Sequence, residues 1–153
     1  MCGIAAYNGN NFNKDKFNIL GIFNDSRGGD SCGVFINNKD GLQLSYGHGK
    51  TELYRDFITS GVDLDFDETT IALCHCRKAS VGGIGEAQAQ PVSIFEKNEA
   101  GEDELVFVMI HNGTLTNYKE LANKYDVNFE FGDTDSKKKK KIVYKQGYDV
   151  LGE

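Results

Sequence analysis

At 153 residues the chain is long enough for one domain that buries roughly two thirds of its unfolded surface without disulfide or metal staples. Its 23 acidic residues outweigh 17 basic ones, giving a net charge of −6, and five of those basic residues crowd into Lys137–Lys141. What remains carries no broad basic face for nucleic acid, and no apolar run approaches the length of a membrane span.

No secretory signal follows Met1, so the four cysteines, Cys2, Cys32, Cys74 and Cys76, are expected as free thiols in a reducing, cytoplasmic setting. Residues 2 to 7 have the length and composition of a buried strand, closed by the turn signal Asn8-Gly9-Asn10. Phe17, Ile19, Leu20, Ile22 and Phe23 fill a window of helical length, with Asn13 or Asp15 as the cap and a stop near Arg27-Gly28-Gly29-Asp30. Cys32 to Ile36 and Leu42 to Tyr46 read as strands joined by a hairpin turn over residues 37 to 41. Between 47 and 70 the pattern weakens, with a short helix over Tyr54 to Ile58 and an acidic loop from Val62.

Thr70 to Cys76 is a strand whose alternation puts Leu73, His75 and Arg77 on one face and Cys74 and Cys76 on the other. A small, glycine-rich stretch from Lys78 to Gly85 leads to Pro91, and Lys97 to Glu104 reads as a charged hairpin tip. Leu105 to Ile110 is expected as a buried strand running into His111-Asn112-Gly113. Asn117 to Tyr125 suits a helix and Phe129 to Phe131 a brief strand. Asp133 or Asp135 then caps a last helix reaching about Gln146. Strands in runs with few helices between them indicate a layered α+β fold, not alternating βαβ units.

Chemistry-bearing residues gather where these elements end. Should the initiator methionine be removed, Cys2 becomes the N-terminus and places a thiol beside a free α-amine. Such groups ordinarily titrate near ~8.5 and ~8, so each is partly deprotonated close to neutrality. A nucleophile beside its own base is the minimum for covalent catalysis. Arg77, at a strand end, is either a surface charge or a bidentate partner for a carboxylate. Asn112-Gly113 is by itself a type I′ turn signal. Its functional alternative is an oxyanion hole built from the Asn112 amide and the Gly113 N–H, where losing one donor typically costs about 10²–10³ in rate. Asp135 is a helix cap or a carboxylate for a substrate ammonium. Gly82-Gly83-Ile84-Gly85 lacks the spacing of a dinucleotide fingerprint and suits a lid over a site.

In order along the chain stand Met-Cys-Gly-Ile, Arg-Gly-x-Asp-Ser-x-Gly, His-x-Arg-x-x-Ser, His-Asn-Gly with a following Asn-Tyr-x-x-Leu, and Thr-Asp-Ser. That order, from Cys2 to about Leu151, resembles the glutaminase domain of the class II glutamine amidotransferases, which are N-terminal-nucleophile hydrolases. The resemblance implies a four-layer α/β/β/α sandwich of antiparallel sheets. It makes residues 1–153 one type-2 amidotransferase domain, mature from residue 2 once Met1 is removed. It implies release of ammonia from glutamine, for an acceptor-modifying synthase domain or partner subunit, with no metal or organic cofactor. Residue by residue it makes Cys2 the nucleophile and Asn112 and Gly113 the oxyanion hole. Arg77 falls on the holder of the glutamine α-carboxylate, Asp135 on that of its α-ammonium, and Ser80 on the threonine lining the pocket. Arg27 falls on an arginine that helps order the N-terminus. A homo-oligomer is compatible with the sequence.

The sequence departs from the family pattern in three ways. Lys137–Lys141 stand where an acidic residue and an apolar-periodic helix follow Thr-Asp-Ser, against the helix dipole. Lys78 replaces a bulky residue. The chain also stops before the family's last strands, so a C-terminally truncated fragment, or a domain completed by another chain, is expected. Three rival readings stand beside the enzyme. One is an inactive amidotransferase-like interaction module that keeps Met1. Another is a metal site from Cys32, Cys74, His75 and Cys76, disfavoured because alternation turns His75 away from Cys74 and Cys76. The last is a papain-like Cys–His pair using His48, His75 or His111, without the local sequence that such a cysteine needs.

Overall fold

Among the described residues the strands build two sheets, one of them interrupted by a bulge. The computed structural model describes residues 1–48, 53–60, 63–79, 89–113, 116–128 and 141–143. Strand β1 (Gly3–Asn8) leads to helix α1 (Lys14–Asn24), and the hairpin of β2 (Ser31–Asn38) and β3 (Gly41–His48) follows. Helix α2 (Tyr54–Thr59) precedes β4 (Ile71–Arg77), and β5 (Val92–Lys97) and β6 (Asp103–Met109) form a second hairpin before helix α3 (Tyr118–Lys124). The first sheet has the order β1-β4-β2-β3 and is antiparallel throughout, while β5 and β6 pair as a separate two-stranded sheet. Antiparallel sheets with flanking helices make this an α+β fold, as the sequence indicates. No helix among the described residues is long and apolar enough to cross a membrane.

The local chemistry accounts for these boundaries. Asn13, not Asp15, caps α1, its side chain accepting from the Lys16 N–H at 2.9 Å. The turn between β2 and β3 is held by the Asp40 N–H donating to Asn38 Oδ1 at 2.9 Å, with Gly41 at φ +109° where a side chain would be strained. Helix α2 has no side-chain cap of its own. Instead the Asp25 carboxylate, just past α1, accepts from the N–H groups of Tyr54 at 2.6 Å and Arg55 at 3.1 Å. One acidic group thus joins the end of one helix to the start of another.

The core lies between α1, α2 and one face of the four-stranded sheet. Phe17, Val34, Ile36, Tyr54, Phe57, Phe66 and Ala72 pack there with Cys32, Cys74 and Cys76. Cys32 stands opposite Cys76 across β2 and β4, so the three thiols share the helix-facing side, with Leu73, His75 and Arg77 on the other. Of the apolar window on α1, only Phe17 is buried, while Ile19, Leu20 and Phe23 are exposed. Strand β6, expected to be buried, has no buried position: Leu105, Phe107, Val108 and Met109 are half-buried and Val106 is exposed. The reading of a last helix from Asp133 to Gln146 falls almost wholly outside the described residues, of which 141–143 are helical. Phe129 to Phe131 and the Gly82–Gly85 segment also lie outside them.

The register of β1 against β4 sets up the site. Gly3 pairs with Cys76, so Cys2 extends the strand opposite Arg77. Gly3 has no room for a side chain, because a Cβ there would collide with the side chain of Asn24 on α1. Gly28 is equally constrained, since its Cβ would lie 2.6 Å from the Arg77 carbonyl carbon. The loop after α1 can therefore lie directly on the end of β4.

Candidate active site

Cys2 is the half-buried end of β1, and three loops converge on it. From the loop after β6, Asn112 holds its backbone at both ends: Cys2 N donates to Asn112 Oδ1 at 3.2 Å, and Asn112 Nδ2 donates to Cys2 O at 2.9 Å. From the loop after α1, Arg27 Nε donates to the same carbonyl oxygen at 3.2 Å. From the end of β4, the backbone of Lys78 brackets the sulfur. Its N–H donates to Sγ at 3.3 Å, and Sγ lies 3.6 Å from its carbonyl oxygen. A thiol can use the carbonyl as acceptor and a thiolate the N–H as donor, so one peptide unit serves either protonation state.

Asp30 fixes that peptide unit. Its Oδ2 accepts from the Ala79 N–H at 2.7 Å, its Oδ1 lies 3.6 Å from Lys78 Nζ, and its own N–H donates to the Arg77 carbonyl at 3.0 Å. The Arg77 side chain is buried, which pushes its pKa down, against the pull of negative charge on Cys2 and Asp30. Its guanidinium stays charged, because an arginine starts from above 12.

Beside Arg77 on the same face of β4 sits His75, fully buried, neither ring nitrogen making a well-formed hydrogen bond to a described residue. Ser31, opposite Arg77 across β2, is also fully buried, its hydroxyl without a partner among the described residues. Burial pushes the His75 pKa down to about 4. The His111 backbone opposes that shift, and the charges of Arg77 and His111 add to it. The ring is therefore neutral at pH 7. Unfolded, the same ring takes a proton near pH ~6.5, so His75 withholds nothing from stability above that pH and costs stability as pH falls from there through 4. The difference amounts to about 3 kcal/mol. Unfolding free energies of wild type and His75→Gln, measured from about pH 7 to about pH 4, are expected to converge by about that amount as the pH falls. Equal acid sensitivity of the two proteins would refute it.

A cleft of about 570 Å³, lined by Phe12, Lys14, Phe66, Thr69 and Thr70 among others, lies at the opposite end of β1 and β4 from Cys2 and takes no part in this arrangement. Among the described residues no group of three or more His, Cys, Asp or Glu side chains is placed to hold a metal ion. The Cys32, Cys74, His75 and Cys76 combination is divided between the two faces of the sheet. Among the described residues, the hydrogen-bond partners of Cys2 Sγ are the backbone N–H and carbonyl of Lys78.

No protein-family model matches the chain. It is 31% identical, over 172 aligned positions, to glutamine–fructose-6-phosphate aminotransferase (isomerizing) 1 of Rattus norvegicus, an alignment covering 97% of this chain and 24% of that protein. The enzyme of the same name from Staphylococcus epidermidis is 30% identical over 139 positions, and that from Oceanobacillus iheyensis 28% over 139 positions. Each of those two alignments covers 89% of this chain and 21% of the relative. Such aminotransferases carry a class II glutamine amidotransferase domain at their N-terminus. The chain is a homologue of that domain. It spans 21–24% of the length of these relatives.

In this amidotransferase homologue, four of the residues singled out in the sequence meet at one place: Cys2, Arg27, Asn112 and, across the β1–β4 register, Arg77. Gly113 follows directly, without the positive φ that a type I′ turn needs at it and at Asn112. Ser80 and Asp135 lie outside the described residues. The sequence did not single out the Lys78 backbone, the Asp30 carboxylate or Gln90, whose side chain grips the backbone of His111. Asp30 had a signal, as the acid inside Arg-Gly-x-Asp-Ser. A backbone N–H has none, because every residue but proline carries one.

Proposed function

We propose that the chain, freed of Met1, hydrolyses the side-chain amide of glutamine through a thioester on Cys2 and supplies the ammonia to a synthase domain or partner subunit. The observation that carries this reading is the two-point hold of Asn112 on Cys2. It joins a side-chain amide to both the backbone nitrogen and the carbonyl of the residue that carries the sulfur. Homology to an amidotransferase domain supplies the substrate class. The domain is proposed to be a four-layer α/β/β/α sandwich of the N-terminal-nucleophile type.

With Met1 removed, Cys2 N is an amine within reach of Asn112 Oδ1. It takes the thiol proton as sulfur attacks the glutamine amide carbon. Charge collects on the former carbonyl oxygen. Asn112 Nδ2 spends one hydrogen on Cys2 O and keeps a second for that oxyanion, to which the Gly113 N–H is the other donor. The protonated amine returns its proton to the leaving nitrogen, ammonia departs, and water hydrolyses the thioester to glutamate and free thiol. Arg77 holds the substrate α-carboxylate, Asp135 its α-ammonium, and Ser80 lines the pocket. Glutamine and asparagine differ by one methylene, worth only about 1–3 kcal/mol, so fixing both ends of the amino acid is what supplies selectivity. Each step needs only groups of this chain and water. Met1 is 84% exposed, which leaves its peptide bond open to an aminopeptidase.

Intact-mass measurement and an ammonia-release assay test the reading together. The expected result is a mass short by one methionine, ammonia released from glutamine, and one equivalent of a glutamine-analogue diazoketone bound at Cys2. A folded chain that retains Met1, releases no ammonia and takes no label would instead support the inactive interaction module.

A further inference from the structure

The β5–β6 ladder ends one step short of the candidate site, and a side chain continues it. Val92 stands opposite Met109, so the same register puts Pro91 opposite Ile110 and Gln90 opposite His111. Pro91 has no N–H to give, and β5 begins only after it. At the next position the Gln90 side chain supplies what a backbone would. Its Oε1 accepts from the His111 N–H at 2.6 Å and its Nε2 donates to the His111 carbonyl at 3.1 Å. That is the two-way exchange of a hydrogen-bonded antiparallel pair, made by one side-chain amide. Gln90 is only 3% exposed, so neither bond competes with bulk water. His111 directly precedes Asn112, whose side chain holds both ends of the Cys2 backbone. An unbroken run of hydrogen bonds and covalent chain therefore leads from β5 to the nucleophile.

We propose that Gln90 is a positioning residue for the candidate oxyanion donors, its side chain standing in for a backbone rung that fixes the His111 peptide and, through it, Asn112 and Gly113 against Cys2. The inference rests on the glutaminase reading above. The chemistry restricts the residue. Leucine matches the shape but gives up both bonds to the His111 backbone. A glutamate carboxylate accepts from the N–H yet turns a second negative oxygen on the His111 carbonyl, and only its protonated form restores the donor.

In the processed chain, Gln90→Leu is expected to lower kcat for glutamine by about 10²-fold, the cost of misplacing reacting groups by roughly 1 Å. KM should move less than about threefold, since Gln90 touches neither proposed end-holder of the substrate. Gln90→Glu should be as slow as the leucine variant near pH ~8 but approach wild type near pH ~5, where its carboxyl regains a proton. Activities are compared as the ratio to wild type at each pH. Hydrogen exchange of the His111 N–H should quicken at least about tenfold in Gln90→Leu, and in Gln90→Glu only at the higher pH. A folded Gln90→Leu protein with kcat within about twofold of wild type overturns the proposal, as does a pH-independent Gln90→Glu ratio. Should Gln90→Leu fail to fold, the Gln90→Glu pH ratio decides alone. If wild type itself releases no ammonia, the glutaminase reading has failed separately. The exchange rate at His111 then decides the clamp, unchanged protection overturning it.

Discussion

Glutamine hydrolysis is expected to fall by on the order of 10⁴-fold or more when Cys2 is replaced by alanine in the processed chain, with no loss of fold. The nucleophile cannot be replaced from nearby, because Cys32, Cys74 and Cys76 are fully buried on the helix-facing side of the sheet. Little else among the described residues depends on the sulfur: it is half-buried, and its hydrogen bonds to them are the two to Lys78. The backbone contacts from Asn112 and Arg27 are kept in the alanine protein, so a loss of activity with unchanged circular dichroism and thermal midpoint isolates the chemistry. Blocking removal of Met1 should have the same effect by another route, since Cys2 N is then an amide without a lone pair to take the proton. Normal turnover by Cys2→Ala would sink the thioester mechanism.

Asn112→Ala is the second large loss, and for two reasons that add. One is a missing oxyanion donor, typically about 10²–10³ in kcat. The other is the loss of both bonds that hold the Cys2 backbone, leaving Arg27 as its remaining side-chain contact. The combined fall in kcat is expected to reach at least about 10³-fold, with KM for glutamine little changed. Asn112→Asp separates the parts. It keeps an acceptor for Cys2 N and loses the donor for both Cys2 O and the oxyanion. Its carboxylate also favours the protonated amine, which then serves poorly as a base. Aspartate should therefore rescue little. Steady-state kinetics on the two variants check this, and a drop of less than about tenfold in either would remove Asn112 from the oxyanion hole.

The first four strands and both early helices were legible because each carries its own local signal: alternation, a turn residue or a cap. Their order in the sheet was not. β4 lies between β1 and β2 through pairings of residues more than thirty positions apart, which no short window encodes. Strand β5 escaped notice for a local reason. Its register shifts between Ile94 and Phe95, and that bulge breaks the period of two by which a strand is read. Helix α2 was read over Tyr54 to Ile58, but its cap was not, because Asp25 caps it from another element. In the site, side chains with distinctive chemistry were visible through motif order, as with Cys2, Arg27, Arg77 and Asn112. Lys78 offers the sulfur only its peptide group and Gln90 offers His111 only an amide acting as one, so neither role leaves a mark in composition or spacing.

The tight contact between Gly3 and Asn24 makes β1 a ruler with its zero beside the nucleophile. The strand cannot slide along β4 without driving a side chain into α1, so the distance from that fixed point to the thiol is a single residue. Side chains alternate across a strand, so one residue inserted between Cys2 and Gly3 would carry the sulfur past Lys78 and turn it to the opposite side. The reading frame of the terminus is thus set by a glycine rather than by the cysteine itself. Whatever trims the chain must stop at one particular bond for the sulfur and the terminal nitrogen to fall together.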